Sequence, residues 1–174
     1  GHKVISSYLV EFSDLDKIVF VISPQNPFKN KKSLLDQNHR LQIILSEIQD
    51  NTKLGYSDVE FYLPQPSYTI DTLIYLQEKN PQHEYSIIMG ADNLKNFHKW
   101  KNYEQILANF SIYVYPREGF KAEGFHKNIH LISEVPKMDI SASFIRKSIK
   151  KGKDVSYLIP DKAWQYIEEM NFYK

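Results

Sequence analysis

The feature of this chain that most constrains its fold is the alternation of short apolar runs with longer amphipathic segments. Ile18 to Ile22 and Tyr85 to Met89 are predominantly apolar, which predicts two strands of a parallel sheet. The continuous apolar run at Ile18 to Ile22 is typical of a strand buried on both faces. Lys3 to Glu11 and Asp36 to Ile48 instead carry apolar residues at helical spacing. The alternation predicts an α/β fold, in which a doubly wound parallel sheet carries helices on both faces.

The same patterns predict the remaining elements and a single domain. Strands are predicted at Val59 to Leu63, Ile112 to Tyr115 and Ile129 to Ile132, and a closing helix at Asp161 to Met170. The 174 residues contain no internal repeat and no linker long enough to divide domains. We therefore expect one domain that spans residues 1–174.

Composition excludes several classes of function. The formal net charge is only +1, so the chain lacks the strongly basic balance of many nucleic-acid-binding domains. It contains no cysteine, which excludes thiolate nucleophiles and cysteine-based zinc sites. No apolar run approaches the roughly 20 residues that cross a bilayer, and we expect a cytoplasmic protein. His126 and His130 lie beside a predicted strand, where side chains at this spacing are far apart, so no metal site is expected.

Polar residues and glycines follow several predicted strands directly. In parallel α/β sheets, ligands bind beyond the carboxyl ends of the strands. The segments at such positions are Ser23 to Lys29, Pro64 to Thr69, Gly90 to Asp92 and Asp139 to Ser143. We expect the functional residues in these segments.

The segment Met138 to Arg146 predicts a phosphate-binding helix start. Ser141 is a favourable N-cap, and the helix that follows ends near Gly152. A helix N-terminus with two hydroxyls and a guanidinium one turn later suits a phosphate group. The alternative is a capped amphipathic helix whose apolar stripe only joins the core.

Five short motifs occur in order along the chain. They are Ser23-Pro24-Gln25-Asn26-Pro27-Phe28-Lys29, Pro66-Ser67-Tyr68-Thr69-Ile70-Asp71-Thr72-Leu73, Gly90-Ala91-Asp92 with Phe97 and Trp100, Pro116-Arg117-Glu118-Gly119, and Ile140-Ser141-Ala142-Ser143-Phe144-Ile145-Arg146. Together they resemble the sequence blocks of bacterial nicotinate-mononucleotide adenylyltransferases, a family of the nucleotidyltransferase superfamily. The resemblance covers essentially the whole chain and implies a Rossmann-like fold of the nucleotidyltransferase type.

The resemblance implies that the adenylyl group of ATP is transferred to nicotinate mononucleotide, a step of NAD biosynthesis that releases pyrophosphate. The acceptor phosphate is a nucleophile at neutral pH, so the enzyme must mainly align two anions and stabilise charge. The expected partners are ATP and nicotinate mononucleotide, with Mg²⁺ carried by the ATP phosphates. Neither nucleic acid nor a membrane is expected, and a homo-oligomer is compatible with the sequence.

The resemblance also implies the roles of individual residues. His2 and Arg146 would be catalytic, Asp92 would contact a ribose hydroxyl, and Trp100 would stack on the pyridine ring. The residues expected to bind ATP are Gly1, His2, Gly90, Asp92, Ile140, Ser141, Ser143 and Arg146. Those expected to bind the mononucleotide are Asn26, Lys29, Thr69, Trp100 and Lys101, with Thr69 and the backbone beside Trp100 on the acid group.

Each of these residues also has a structural interpretation without a ligand. His2 and Arg146 could be solvated, Lys29 could belong to a solvated basic loop, Asp92 could cap a helix, and Trp100 could pack in the core.

The sequence departs from the family at its start, which leaves other functions open. The family begins with a strand and a loop that ends in H-x-G-H, of which this sequence contains only Gly1-His2. Either such a segment precedes Gly1 in the whole protein or the site lacks it, and Gly1-His2 could also be a tag remnant. Because the H-x-G-H loop is incomplete, a non-catalytic nucleotide-binding protein is one alternative. A phosphopantetheine adenylyltransferase is another, although Trp100 and the Ser67 to Leu73 block argue against it.

Overall fold

The computed structural model describes residues 1–24, 35–120, 126–136, 138 and 140–174. These residues form two compact units. The first contains residues 1–24, 35–61, 138 and 140–174, and the second contains residues 62–120 and 126–136. The expectation of a single domain stays a prediction.

The first unit contains two parallel strands and four α-helices. The strands are β1 (Ile18–Val21) and β2 (Leu54–Ser57), and the helices are α1 (His2–Phe12), α2 (Gln37–Ile48), α6 (Ala142–Lys150) and α7 (Asp161–Glu169). Two short 3₁₀ turns, Val59–Phe61 and Ser156–Leu158, complete the unit. β1 pairs with β2 from Ile18 opposite Leu54 to Val21 opposite Ser57. The helical spacing predicted near the N-terminus is confirmed by α1, which buries Ile5 and Leu9.

The strand predicted at Val59 to Leu63 is wrong. That segment begins with a 3₁₀ turn, in which the Phe61 amide donates to the Asp58 carbonyl at 2.8 Å. The Ser57 hydroxyl also accepts from the Val59 amide at 3.3 Å. Short polar residues of this kind form turns readily, so they end the strand before the apolar alternation begins.

β1 also differs from the interior strand that its composition predicts. Ile18 is buried, but Val19 and Val21 are more than one-third exposed. Side chains alternate along a strand, so these two valines lie together on one face. The prediction that this strand is buried on both faces is therefore wrong.

The second unit is built on three parallel strands in the order β3-β4-β5. The strands are β3 (Ser86–Gly90), β4 (Ser111–Tyr115) and β5 (Ile129–Leu131), and the helices are α3 (Thr69–Lys79), α4 (Ala91–Leu94) and α5 (Tyr103–Asn109). A 3₁₀ turn at Phe97–Lys99 lies between α4 and α5. The fully buried side chains Ile106, Ile112 and Val114 form the centre of the core. No helix in the described part of the chain is long and apolar enough to cross a membrane.

Glu47 joins three helices of the first unit. Its carboxylate accepts from the Ala163 amide in the first turn of α7 at 2.8 Å, and it also pairs with Lys3 of α1. The Glu47 side chain is only 10% exposed. A carboxylate at the first turn of a helix satisfies an amide without an intrahelical partner and complements the helix dipole.

We expect Glu47→Ala to lower the free energy of unfolding by about 1–2 kcal/mol, because the first turn of α7 loses its acceptor. Chemical denaturation of the purified protein measures the change. The matched control is Asp50→Ala, which removes an ion pair with Lys162 from a carboxylate that is 79% exposed. That variant should cost no more than about 1 kcal/mol. Equal losses in the two variants would contradict the capping role.

Candidate active site

The first turn of α6 is the polar helix start that the sequence predicts. Ser141 is its N-cap, and the Ser141 hydroxyl accepts from the Phe144 amide at 3.1 Å. The Ser143 hydroxyl accepts from Nη2 of Arg146 at 3.2 Å. Both serines are exposed, and Ile140 precedes them. The first amides of a helix lack intrahelical acceptors, so this turn offers an anion both backbone donors and a guanidinium.

The start of α1 also lies in the first unit. Gly1 is the N-cap, and its carbonyl accepts from the Ile5 amide at 3.0 Å. His2 is the first residue of the helix and is exposed. The expected position of a histidine at a helix N-terminus is therefore confirmed, whereas its contact with phosphate stays a prediction.

Arg40 is a residue of α2 that the sequence did not single out. Its Nε donates to the Leu35 carbonyl at 3.0 Å, and its Nη2 donates to the Pro24 carbonyl at 3.1 Å. Pro24 and Leu35 flank residues 25–34, so Asn26 and Lys29 lie outside the described residues. A cation near the N-terminus of a helix interacts unfavourably with the positive end of the helix dipole. That position is the one feature of the sequence that indicates a role for Arg40 outside its own helix.

Tyr173 adds an aromatic group near two arginines of the first unit. Its ring packs against the apolar cluster of Ile149, Val155 and Ile167. Burial raises the pKa of Tyr173, while the positive charges of Arg146 and Arg40 act in the opposite direction. The phenol therefore stays protonated at neutral pH, and the charge in this region comes from the two guanidinium groups.

Asp92 and Arg117 face each other at the carboxyl ends of neighbouring strands in the second unit. Asp92 follows β3 and Arg117 follows β4, and Oδ1 of Asp92 lies 3.8 Å from Nε of Arg117. Both atoms are buried and have no hydrogen-bond partner among the described residues. The guanidinium lies 5.3 Å from the ring centre of Tyr115. As whole side chains, Asp92 and Arg117 are 41% and 38% exposed at the carboxyl ends of their strands, where parallel α/β sheets bind ligands.

Gly90 allows Asp92 and Arg117 to approach the end of β3. A side chain at position 90 would place its Cβ 2.4 Å from Oδ1 of Asp92 and 3.1 Å from Cγ of Arg117. Gly90 is the N-cap of α4, and Asp92 is the second residue of that helix. The interpretation of Asp92 as the helix cap is therefore wrong. Arg117 occurs in a motif of the sequence, but only the structure identifies its partner.

In the second unit, Lys101 reaches the first turn of α3, which begins at Thr69. Thr69 begins α3, and the N-cap Tyr68 makes no side-chain hydrogen bond to that helix. Trp100 is half-buried against the core, with its ring 5.4 Å from that of Phe97. The Lys101 ammonium pairs with Asp71 in the first turn of α3. This ion pair joins the first turn of α3 to the residue that follows Trp100, so both segments can contribute to one mononucleotide site.

The structure thus brings together three sets of predicted residues, each within one unit. Ser141, Ser143 and Arg146 share the start of α6, Gly90 and Asp92 share the end of β3, and Trp100 and Lys101 lie beside the start of α3. Within the described ranges, no three His, Asp or Glu side chains come close enough to hold a metal ion.

Comparison with known proteins identifies the family. Residues 1–148 match the cytidylyltransferase-like family model. A probable nicotinate-nucleotide adenylyltransferase of Flavobacterium johnsoniae is 52% identical, over 100% of this chain and 92% of the relative. One of Bacteroides fragilis is 38% identical, over 96% of this chain and 84% of the relative.

Solved structures show the same fold. The nicotinic acid mononucleotide adenylyltransferase of Plasmodium falciparum, complexed with NaAD, has a TM-score of 0.77 and is 21% identical. The match covers 99% of this chain and 89% of that chain. The predicted fold class is confirmed: the fold is of the nucleotidyltransferase type, with parallel strands and helices on both sides. The chain belongs to the nicotinate-nucleotide adenylyltransferase family, whose members are nucleotidyltransferases.

Proposed function

We propose that this protein transfers the adenylyl group of ATP to nicotinate mononucleotide, with nicotinate adenine dinucleotide and pyrophosphate as products. The observation that carries the proposal is the exposed first turn of α6, where Ser143 holds Arg146, in a chain of this family. A guanidinium and backbone amides that converge on one turn suit the phosphate groups of a nucleotide. The reaction belongs to NAD biosynthesis.

The chemistry needs charge stabilisation and alignment. The acceptor phosphate oxygen attacks the α-phosphorus of ATP, a new P–O bond forms, and the bond from the α-phosphorus to the bridging oxygen breaks. Pyrophosphate leaves with that oxygen, and no proton has to be removed from the nucleophile. Arg146 and the amides of α6 would stabilise the charge on the leaving phosphates, and His2 would donate to a phosphate from the start of α1.

Mg²⁺ is the metal we propose for this reaction. Because the described residues contain no cluster of metal ligands, we expect triphosphate oxygens and water to hold the ion. When bound, Mg²⁺ neutralises part of the charge on the phosphates. Asp92 would accept from a ribose hydroxyl, and its partly exposed side chain at the carboxyl end of β3 supports that role.

The second unit supplies the proposed contacts to the mononucleotide. The Trp100 indole offers a face to the electron-poor pyridine ring. The amides at the start of α3, beside Thr69, offer donors and a partial positive charge to the pyridine carboxylate. The Lys101 backbone, next to Trp100, would contact the same carboxylate.

The full-length protein should release pyrophosphate only when ATP, Mg²⁺ and a pyridine mononucleotide are all present, because the acceptor phosphate is the nucleophile. A coupled pyrophosphate assay with single omissions measures this requirement. Phosphopantetheine in place of the mononucleotide is the control. Equal release with phosphopantetheine would contradict the proposed acceptor, and binding of ATP without turnover would identify a non-catalytic protein.

We expect Arg146→Ala to lower kcat/KM for ATP by about 10- to 100-fold, since a hydrogen bond to a charged group is worth about 1.5–3 kcal/mol. Arg146→Lys should recover only part of the rate because the planar guanidinium is lost.

The control for Arg146 is Lys147→Ala, which removes a neighbouring exposed charge from the same helix. Its steady-state kinetics should match the wild type, and thermal unfolding should show that all three variants remain folded. An unchanged rate in Arg146→Ala would exclude Arg146 from the phosphate site.

The wild type should prefer nicotinate over nicotinamide mononucleotide by about 10- to 100-fold in kcat/KM, because the carboxamide leaves a backbone donor at the start of α3 unpaired. Trp100→Ala should weaken both substrates alike, since stacking does not discriminate between the exocyclic groups. Trp100→Phe controls for packing, because Trp100 also contacts the core. Equal efficiency for acid and amide in the wild type would contradict the carboxylate site.

A further inference from the structure

Lys101 and Asp71 form a well-defined ion pair in the second unit. The Lys101 Nζ lies 3.2 Å from Oδ1 and 2.9 Å from Oδ2 of Asp71, so it contacts both carboxylate oxygens. The same ammonium lies 4.7 Å from the centre of the Tyr68 ring. The two charged side chains are 43% and 40% exposed. The ammonium therefore contacts both a carboxylate and an aromatic face.

The pair lies where two parts of the proposed mononucleotide site meet. Asp71 is the third residue of α3 and belongs to the same first turn as Thr69. Lys101 directly follows Trp100. Tyr68 and Trp100 both pack against the core of this unit, which fixes the two ends of the ion pair.

The charges of the pair have a direct consequence for an anionic ligand. Asp71 complements the dipole of α3, but its negative charge opposes any other anion at the same turn. The Lys101 ammonium cancels that charge at a distance of about 3 Å. The first turn of α3 therefore keeps its positive end available to a carboxylate.

We propose that Lys101 preserves the preference for acid over amide by neutralising Asp71, whose charge would otherwise oppose a carboxylate at the start of α3. The inference rests on the proposed function and deepens it. Lys101 is then a specificity-determining residue whose side chain acts through Asp71, in addition to any contact of its backbone with substrate.

Two single substitutions should change the acid-to-amide ratio in opposite directions. Lys101→Met leaves the Asp71 charge uncompensated, so the ratio of kcat/KM values should fall by about two- to five-fold at low ionic strength. Asp71→Asn leaves the Lys101 charge, so the ratio should rise by a similar factor. The double variant should return close to the wild-type ratio, because both charges are gone.

The experiment measures kcat/KM and the dissociation constant, by calorimetry, for nicotinate and nicotinamide mononucleotides with all four proteins. Lys79→Met is the matched control, since it removes the same charge at the opposite end of α3. Its acid-to-amide ratio should equal that of the wild type. The shifts in the other variants should shrink in about 0.5 M salt, because mobile ions screen exposed charges.

The outcomes separate this inference from the proposed function. The inference alone is overturned if the wild type prefers the acid but both single variants keep the wild-type acid-to-amide ratio of kcat/KM. The Lys101–Asp71 pair would then have only a structural role. Parallel losses of acid and amide efficiency lead to the same conclusion. A wild type that neither binds nor adenylylates a pyridine mononucleotide overturns the proposed function and this inference together.

Discussion

The parallel pairing of β3 with β4 determines where the Asp92 and Arg117 side chains lie. Gly90 lies opposite Tyr115 at the end of this pairing, so Asp92 and Arg117 leave the sheet side by side. The buried core beneath the strands holds their register, because a slip of one residue would turn Ile112 and Val114 out of it. Oδ1 of Asp92 and Nε of Arg117 thereby come within 3.8 Å of each other, and neither atom makes a hydrogen bond within the described part of the chain.

The starts of α6 and α3 supply the other candidate contacts to substrate. At α6 a serine caps the helix and a second serine orients an arginine, so only one turn of chain is required. At α3 the cap residue makes no side-chain hydrogen bond, and a tertiary ion pair adjusts the charge of the turn instead. The arrangement at α6 can be predicted from neighbouring residues, whereas the ion pair at α3 joins residues 30 positions apart.

These differences explain which predictions were confirmed. Apolar spacing predicted α1, and the serine before Ala142 predicted the start of α6, because both depend on contacts within a few residues. The strand predicted at Val59 to Leu63 was wrong because Ser57 and Asp58 form local hydrogen bonds to the amides of Val59 and Phe61, and this turn outweighs the apolar alternation. The exposure of Val19 could not be predicted, since a run of β-branched residues does not indicate what covers each face of a strand.

The sequence by itself determined the α/β alternation, the polar helix start at Ser141 and the family, because these depend on local spacing and ordered motifs. The tertiary structure decided which side chains meet: Asp92 with Arg117, and Asp71 with Lys101. It also showed that the Lys101 ammonium pairs with a carboxylate, where the sequence indicated only a contact with substrate. Charge pairing between distant segments depends on how strands and helices pack, and no local pattern encodes that geometry.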